Sequence, residues 1–389
     1  RILALKKPGD VLHVHVSYVP TPPHLGEPKT KPTQLSVRTL NSLGIQPDFI
    51  ITRSEKYLDQ RRRDRLALFC SVQKEDIISS PDLASVYEVP IVLNKQELDK
   101  KIMKKLGLPV RKPNLKEWKK LIERIKKSSS AGSHKEVNIV IVGKYFGTGE
   151  YQLRDSYAAL FDAIDHAAWN AGIDVKTHWI DAEKVESSVA EVLNEMFKGI
   201  DGIIVPIGWG ERGAEGMITA ASFAREKKIP YLGLCYGMQL AVVSFARDVL
   251  RLKDADTTEN NPKTPNPVIH LMPKQKVFMD KRAYGGTMRL GDWKAKVKKG
   301  TIAYEIYQKE IISERHRHRY EFNDKYTKEF EKNGMIISAR STDENLAEII
   351  ELPRKVHPFY FGIQGHPEYK SRPLSPHPIF LAFLQNCAL

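Results

Sequence analysis

Cysteine is scarce, with three in 389 residues. Cys70, Cys235 and Cys387 lie far apart and show no metal-ligand spacing, so neither a disulfide framework nor a zinc site organises the chain. A reduced, cytoplasmic setting is the expectation. No apolar run is long enough to cross a bilayer, and there is no signal-peptide pattern. The phosphate loop GxxxxGKS/T does not occur. No stripe of basic residues interleaved with aromatics marks a nucleic-acid groove. There is no internal repeat. The sequence opens RILALKKPGD without an initiating Met, and residues upstream of Arg1 are expected.

What is present is ample. A length of 389 residues calls for two or three domains, and a hydrophobic fraction of 41% supplies their cores. The net charge of +14 suits a polyanionic ligand, and nucleotide phosphates rank ahead of nucleic acid. Residues 1–108 alternate short strands and helices: a strand over Val11–Val19, a basic loop KTKPTQ, a helix over Ser36–Leu43, the strand DFIIT and the helix DQRRRDRLALFC. Residues 109–136 combine a Lys-rich helix, LKEWKKLIERIKK, with SSSAGSHKE and read as a linker.

From Val137 a regular series begins. VNIVIVG, VKTHWI, DGIIVP and YLGLC read as buried strands. YQLRDSYAALFDAIDHAAWNAG, SSVAEVLNEMF, GAEGMITAASFAREKK and MQLAVVSFARDVL read as helices. The expected fold class of residues 137–389 is α/β, with a doubly wound, largely parallel sheet.

In such a sheet, ligands bind at the carboxyl ends of strands. Cys235 sits there in YLGLCYGMQ, directly before a helix, with Gly233 and Gly237 on either side. A strand–turn–helix with a nucleophile at the turn is an elbow. The glycines permit the tight turn, and the helix N-terminus favours a thiolate and offers amides to an oxyanion. On position alone, a buried hydrophobe and a nucleophile both remain open. A nucleophile needs a base and an orienting group. FYFGIQGHPEY supplies both, because His366 and Glu368 follow the end of a strand that can lie beside the one carrying Cys235.

GLCYGMQ with a downstream GHPE resembles the triad-type class I glutamine amidotransferases. KTKPTQLSV, VGKY, VPIGWGERGAEGMITAASFARE, GGTMRLGDW and ERHRHRYEFN narrow the likeness to the CTP synthase family, from Val11 to about Phe383. The resemblance implies the carboxyl-terminal part of a P-loop-type amidoligase domain followed by an amidotransferase domain. It implies hydrolysis of glutamine and delivery of ammonia for ATP-dependent conversion of UTP to CTP.

Residue by residue, the resemblance assigns Cys235 as nucleophile, His366 as proton shuttle and Glu368 as its orienting group. The Tyr236 amide would be one oxyanion donor and Ile207 the other. PIGWGERG departs from the family's usual Pro-Gly-Gly by placing Ile207 after Pro206. Gly208, Tyr236, Gly237, Met238, Gln239, Glu259 and Arg319 would bind glutamine, with Arg319 on the carboxylate and Glu259 on the ammonium.

Lys29, Thr30, Lys31, Pro32, Thr33, Gln34 and Arg65 would bind UTP or CTP, Arg65 standing where a lysine is usual. Asp82 and Leu83 would line the ATP site. Arg212 would touch GTP, an expected activator, although Glu211 replaces a common aromatic beside it. The ATP phosphate loop and the Mg²⁺ ligands would precede Arg1, so no metal site is expected in this chain. A homotetramer is implied for the complete protein. Rival readings are a cysteine peptidase or related cysteine hydrolase, a stand-alone glutaminase, and a non-catalytic, filament-forming relative.

Overall fold

The computed structural model describes residues 7, 9–128, 134–148, 151–152, 154–272, 275 and 288–389. The Ser/Gly-rich stretch at 129–133 and the first three residues of GGTMRLGDW (285–287) lie outside the described residues. The chain divides into two compact units, Arg1–Ile125 and Lys126–Leu389.

The first unit is built on three parallel strands in the order β1 (Val14–Tyr18), β2 (Phe49–Ser54) and β3 (Ile77–Pro81). Helix α1 (Lys31–Ser42) follows β1 and helix α2 (Gln60–Cys70) follows β2. The basic segment KTKPTQ is not a loop throughout, as expected from sequence. Thr30 is the N-cap and Lys31 to Gln34 form the first turn of α1, because Pro32 there has its φ pre-set for a helix start. Val37 and Leu66 seat the two helices in a core with Val19, Ile50 and Ile77.

In the second unit a nine-stranded sheet carries the site. Five strands are parallel, in the order β15 (Tyr360–Ile363), β7 (Tyr231–Leu234), β6 (Gly202–Val205), β4 (Lys135–Gly143) and β5 (Ile173–Asp181). This is the doubly wound arrangement predicted by the apolar strand runs. Side chains of β4 alternate between two cores. Ile139 and Ile141 face the side of α3 (Ala158–Ala171) and α6 (Pro378–Cys387). Val140 and Val142 face the side of α4 (Ala214–Lys227) and α5 (Tyr236–Asp248). Helix α3 ends at Gly172, whose φ of 64° is the left-handed cap expected there. It begins at Ala158 rather than Tyr151, because Tyr151–Gln152 pairs with Gly147–Thr148 instead.

The same sheet continues past β15 with four antiparallel strands. These are β14 (Ala347–Leu352), β13 (Ile336–Ser341), β10 (Arg289–Val297) and, at the edge, β11 (Ile311–His318). A small sheet of β8 (Ala255–Thr257), β9 (Asn266–Leu271) and β12 (Tyr320–Phe322) stands apart from it. Among the described residues no helix is long and apolar enough to cross a membrane.

Candidate active site

Four neighbouring parallel strands end at one crevice. Lys144 follows β4, Pro206 to Gly213 follow β6, Cys235 follows β7, and His366 follows β15. Register explains the meeting of the last two. Leu234 pairs with Ile363, and the Cys235 N–H continues the ladder by donating to the Ile363 carbonyl at 2.7 Å.

Cys235 has φ 54° and ψ −100°, a conformation that disfavours a side chain and is held by the surrounding structure. The two glycines make it possible. A Cβ on Gly233 would sit 2.8 Å from the Gly237 backbone, and one on Gly237 would sit 1.9 Å from the Val205 carbonyl oxygen. Helix α5 therefore starts pressed against β6 and β7, with the Tyr236 N–H among its first-turn donors that have no intrahelical acceptor.

His366 and Glu368 are both buried, and His366 Nδ1 donates to Glu368 Oε1 at 2.7 Å. Burial opposes charge on the imidazole. The Glu368 carboxylate and Cys235 outweigh it and hold the His366 pKa well above the ordinary value. His366 Nε2 has no hydrogen bond of normal geometry, and its interaction is with the Cys235 sulfur. The three residues thus form a thiol–imidazole–carboxylate series.

Cys235 opens on a cavity of about 210 Å³. Gly208, Tyr236, Gln239, Glu259 and Arg319, singled out in the sequence, all line it. The cavity is lined by one carboxylate, Glu259, and two guanidinium groups, Arg317 and Arg319, charges of both signs that an α-amino acid can meet. Burial pushes the Glu259 pKa up, against the Gly210 N–H that donates to it at 3.0 Å and the nearby Lys144. Arg319 Nη1 donates to Gln275 Oε1 at 2.6 Å.

Gly237 and Met238 do not line this cavity; both are packed within α5. Nor does Ile207. Its side chain packs against the core, its carbonyl accepts from the Tyr157 hydroxyl at 3.2 Å, and with Glu368 it lines a second cavity of about 270 Å³.

Several lining residues carried no separate signal in the sequence: Trp209, Arg317, His318 and Tyr320. Arg317 lies over the Trp209 ring, 5.1 Å from its centroid. Lys144, in the quoted VGKY, was also not singled out. It is buried, lies 4.5 Å from the Tyr236 ring centroid and donates to the Trp209 carbonyl at 3.1 Å. Burial lowers its pKa to about 8. Arg212 is committed elsewhere, pairing with Glu183 and donating to the Lys144 carbonyl at 2.9 Å.

In the first unit, Lys31, Gln34 and Arg65 line a cavity of about 390 Å³ together with Leu35, Phe69 and Arg38, the last unremarked in the sequence. Thr30 and Thr33 are buried. Thr33 accepts from the Ser17 hydroxyl at 3.0 Å, and Thr30 accepts from Gln34 Nε2 at 3.1 Å. Lys29 pairs with Glu27, and Pro32 is exposed. Asp82 pairs with Arg53 at 2.9 Å and Leu83 is half-buried; both follow β3, away from that lining. Among the described residues, no group of three or more His, Cys, Asp or Glu could hold a metal ion.

Comparisons with known proteins match both units of the chain. Residues 2–108 match the family described as CTP synthase N-terminus, and residues 152–386 match Glutamine amidotransferase class-I. A CTP synthase from Caldanaerobacter subterraneus is 48% identical over 97% of this chain and 67% of its own length. One from Pyrococcus abyssi is 47% identical over 95% of this chain and 66% of its own, and one from Sulfurisphaera tokodaii is 48% identical over 98% and 68%. The chain thus spans about two thirds of the length of these relatives. The solved glutaminase domain of a Trypanosoma brucei CTPS, with bound acivicin, is 33% identical at a TM-score of 0.58, covering 65% of this chain and 94% of that one. By its two matched segments and by these relatives, the chain belongs to the CTP synthase family.

Proposed function

We propose that the second unit hydrolyses glutamine and that the ammonia serves ATP-dependent amination of UTP to CTP in the complete protein. The observation that carries this reading is the convergence of Cys235, His366 and Glu368 beneath a cavity that also holds Glu259 and Arg319. In this reading residues 137–389 are the amidotransferase domain and residues 1–108 the carboxyl-terminal part of the synthase domain, joined by 109–136.

Glutamine enters with its carboxylate on Arg319 and its ammonium on Glu259 and the Gln239 carbonyl oxygen. The Cys235 sulfur attacks the side-chain amide carbon. The Tyr236 amide takes the developing oxyanion, with a second donor from the loop at Ile207 and Gly208. His366 gives its proton to the departing ammonia, leaving a thioester. It then removes a proton from water, which attacks the thioester, and glutamate leaves as the thiol reforms. Glu368 holds Nδ1 throughout, so Nε2 faces the reaction.

UTP or CTP phosphates are assigned to Lys29, Lys31 and Arg65, with Thr30, Pro32, Thr33 and Gln34 around them, and the ATP site to Asp82 and Leu83. Mg²⁺ accompanies ATP in this reading. Among the described residues, no group of three or more His, Cys, Asp or Glu could hold the ion. GTP is assigned to Arg212 as an activator, and a cytoplasmic homotetramer is the proposed assembly.

The test is glutamate release from glutamine by the chain and by Cys235→Ala. Release lost in the variant supports the reading. Release that survives Cys235→Ala contradicts it.

A further inference from the structure

Beneath the Cys235 cavity, one carbonyl sets the direction of two buried amides. The Tyr320 carbonyl oxygen can only accept. It receives His318 Nδ1–H at 2.9 Å and Gln239 Nε2–H at 2.9 Å. Gln239 must therefore turn its nitrogen toward Tyr320. The same nitrogen donates to Gln364 Oε1 at 3.1 Å. Gln364, with its oxygen taken, must turn its own nitrogen the other way, where Nε2 lies 3.5 Å from Cys235 Sγ. Reversing Gln364 would oppose nitrogen to nitrogen and oxygen to sulfur. Gln239 is 3% exposed and Gln364 1%, so bulk solvent cannot compensate a reversed amide.

We propose that Gln364 is a positioning residue for the nucleophile, holding the Cys235 sulfur through an N–H···S bond that favours thiolate over thiol. A donor aimed at the charged form of a group stabilises that form. Gln364 precedes His366 by two residues, so one short segment after β15 brings both a fixed donor and the acid–base group to the sulfur. The chain of amides also means that Gln239 offers the cavity only its oxygen. The residue that contacts substrate and the residue that orients the nucleophile thus share one hydrogen bond.

This inference rests on Cys235 being the nucleophile, and the test separates the two. The full chain is alkylated with iodoacetamide from about pH 5 to about pH 10, and modified Cys235 is quantified by peptide mass spectrometry, apart from buried Cys70 and Cys387. In Gln364→Met, of similar length but without a donor, alkylation near neutral pH should fall about tenfold, with the profile moved up about one pH unit and the high-pH plateau kept. Gln364→Glu keeps an oxygen for Gln239 and sets a carboxylate oxygen against the sulfur. It should shift the profile the same way by at least as much. A profile that coincides with the parent in either folded variant overturns the role, as does a uniform loss that includes the plateau. A parent Cys235 that resists alkylation at every pH overturns the nucleophile reading as well.

Discussion

Lys144 donates from Nζ to the Trp209 carbonyl at 3.1 Å, from beneath the loop that follows β6. It also donates to the Gly210 carbonyl, so two peptide groups of that loop hang on one buried ammonium. Removing it takes the donor from the Trp209 carbonyl and leaves the Gly210 carbonyl with only the Tyr236 hydroxyl, at 2.8 Å, a cost of about 1–3 kcal/mol. Lys144→Met should lower kcat/KM for glutamine hydrolysis about tenfold or more, measured by coupled glutamate detection, while the fold persists by circular dichroism. Burial lowers the Lys144 pKa to about 8. Part of the charge is therefore lost as pH rises through about 8, and the parent should lose activity there more steeply than Lys144→Met.

Glu368 orients His366 by accepting from Nδ1 at 2.7 Å. Glu368→Gln keeps the size and removes the charge. An amide at that position can present a donor to Nδ1 and turn the imidazole to the wrong tautomer. The expected loss in kcat is on the order of 10³–10⁴, with KM little changed. The His366 pKa, held up by Glu368 and Cys235 against burial, should fall in this variant, and the imidazole signal in an NMR pH titration would report it. An unchanged titration would contradict the assigned pairing.

In the proposed reading substrate recognition divides between Arg319 and Glu259, two of the three charged residues that line the cavity. Arg319→Lys replaces a planar fork with a point charge and should raise KM for glutamine about tenfold with kcat less affected. Glu259→Gln should raise KM similarly, and also free the Gly210 amide from its charged acceptor. The pair should be non-additive if both hold one bound amino acid, which steady-state kinetics of the double variant decides.

Glu348, on β14, is buried with Arg289, whose Nη1 donates to it at 2.6 Å. Burial nonetheless pushes the carboxyl up to about 7. A carboxyl whose folded pKa lies above its unfolded one binds the proton more tightly when folded. Its contribution to stability is full below about 4.5 and is lost as pH rises through about 7. The span corresponds to about 3 kcal/mol. Urea unfolding of Glu348→Gln across this range should show a flatter pH dependence than the parent.

The parts of this site that were legible in the sequence had local signatures. Cys235 was marked by an apolar strand before it, an apolar helix after it and glycines at both shoulders. His366 and Glu368 were marked by following a second apolar strand. The antiparallel half of the sheet was not legible, and β11 shows why. Its sequence IISERHRH alternates as a strand should, but Glu314, His316 and His318 form the buried face. With polar residues on both faces, hydrophobic periodicity carries little signal. Lys144 and Gln364 were hidden for a related reason. A lysine or glutamine after a strand looks like any surface residue, and only the tertiary contacts reveal which carbonyl or sulfur it meets. KTKPTQ failed the other way, since a Pro-containing basic segment reads as a loop until Pro32 is seen at the start of α1.

The space between Gly237 and Val205 sets the location of the sulfur by what it leaves out. Because a single added carbon would come within 1.9 Å of the Val205 oxygen, α5 can approach the sheet this closely only while that position is bare. A methyl group there would leave every reacting side chain in the sequence, yet lift the start of α5 and carry Cys235 away from His366. Loss of catalysis in this family can therefore be inherited without any change to a chemical group, through one carbon atom that takes no part in the reaction.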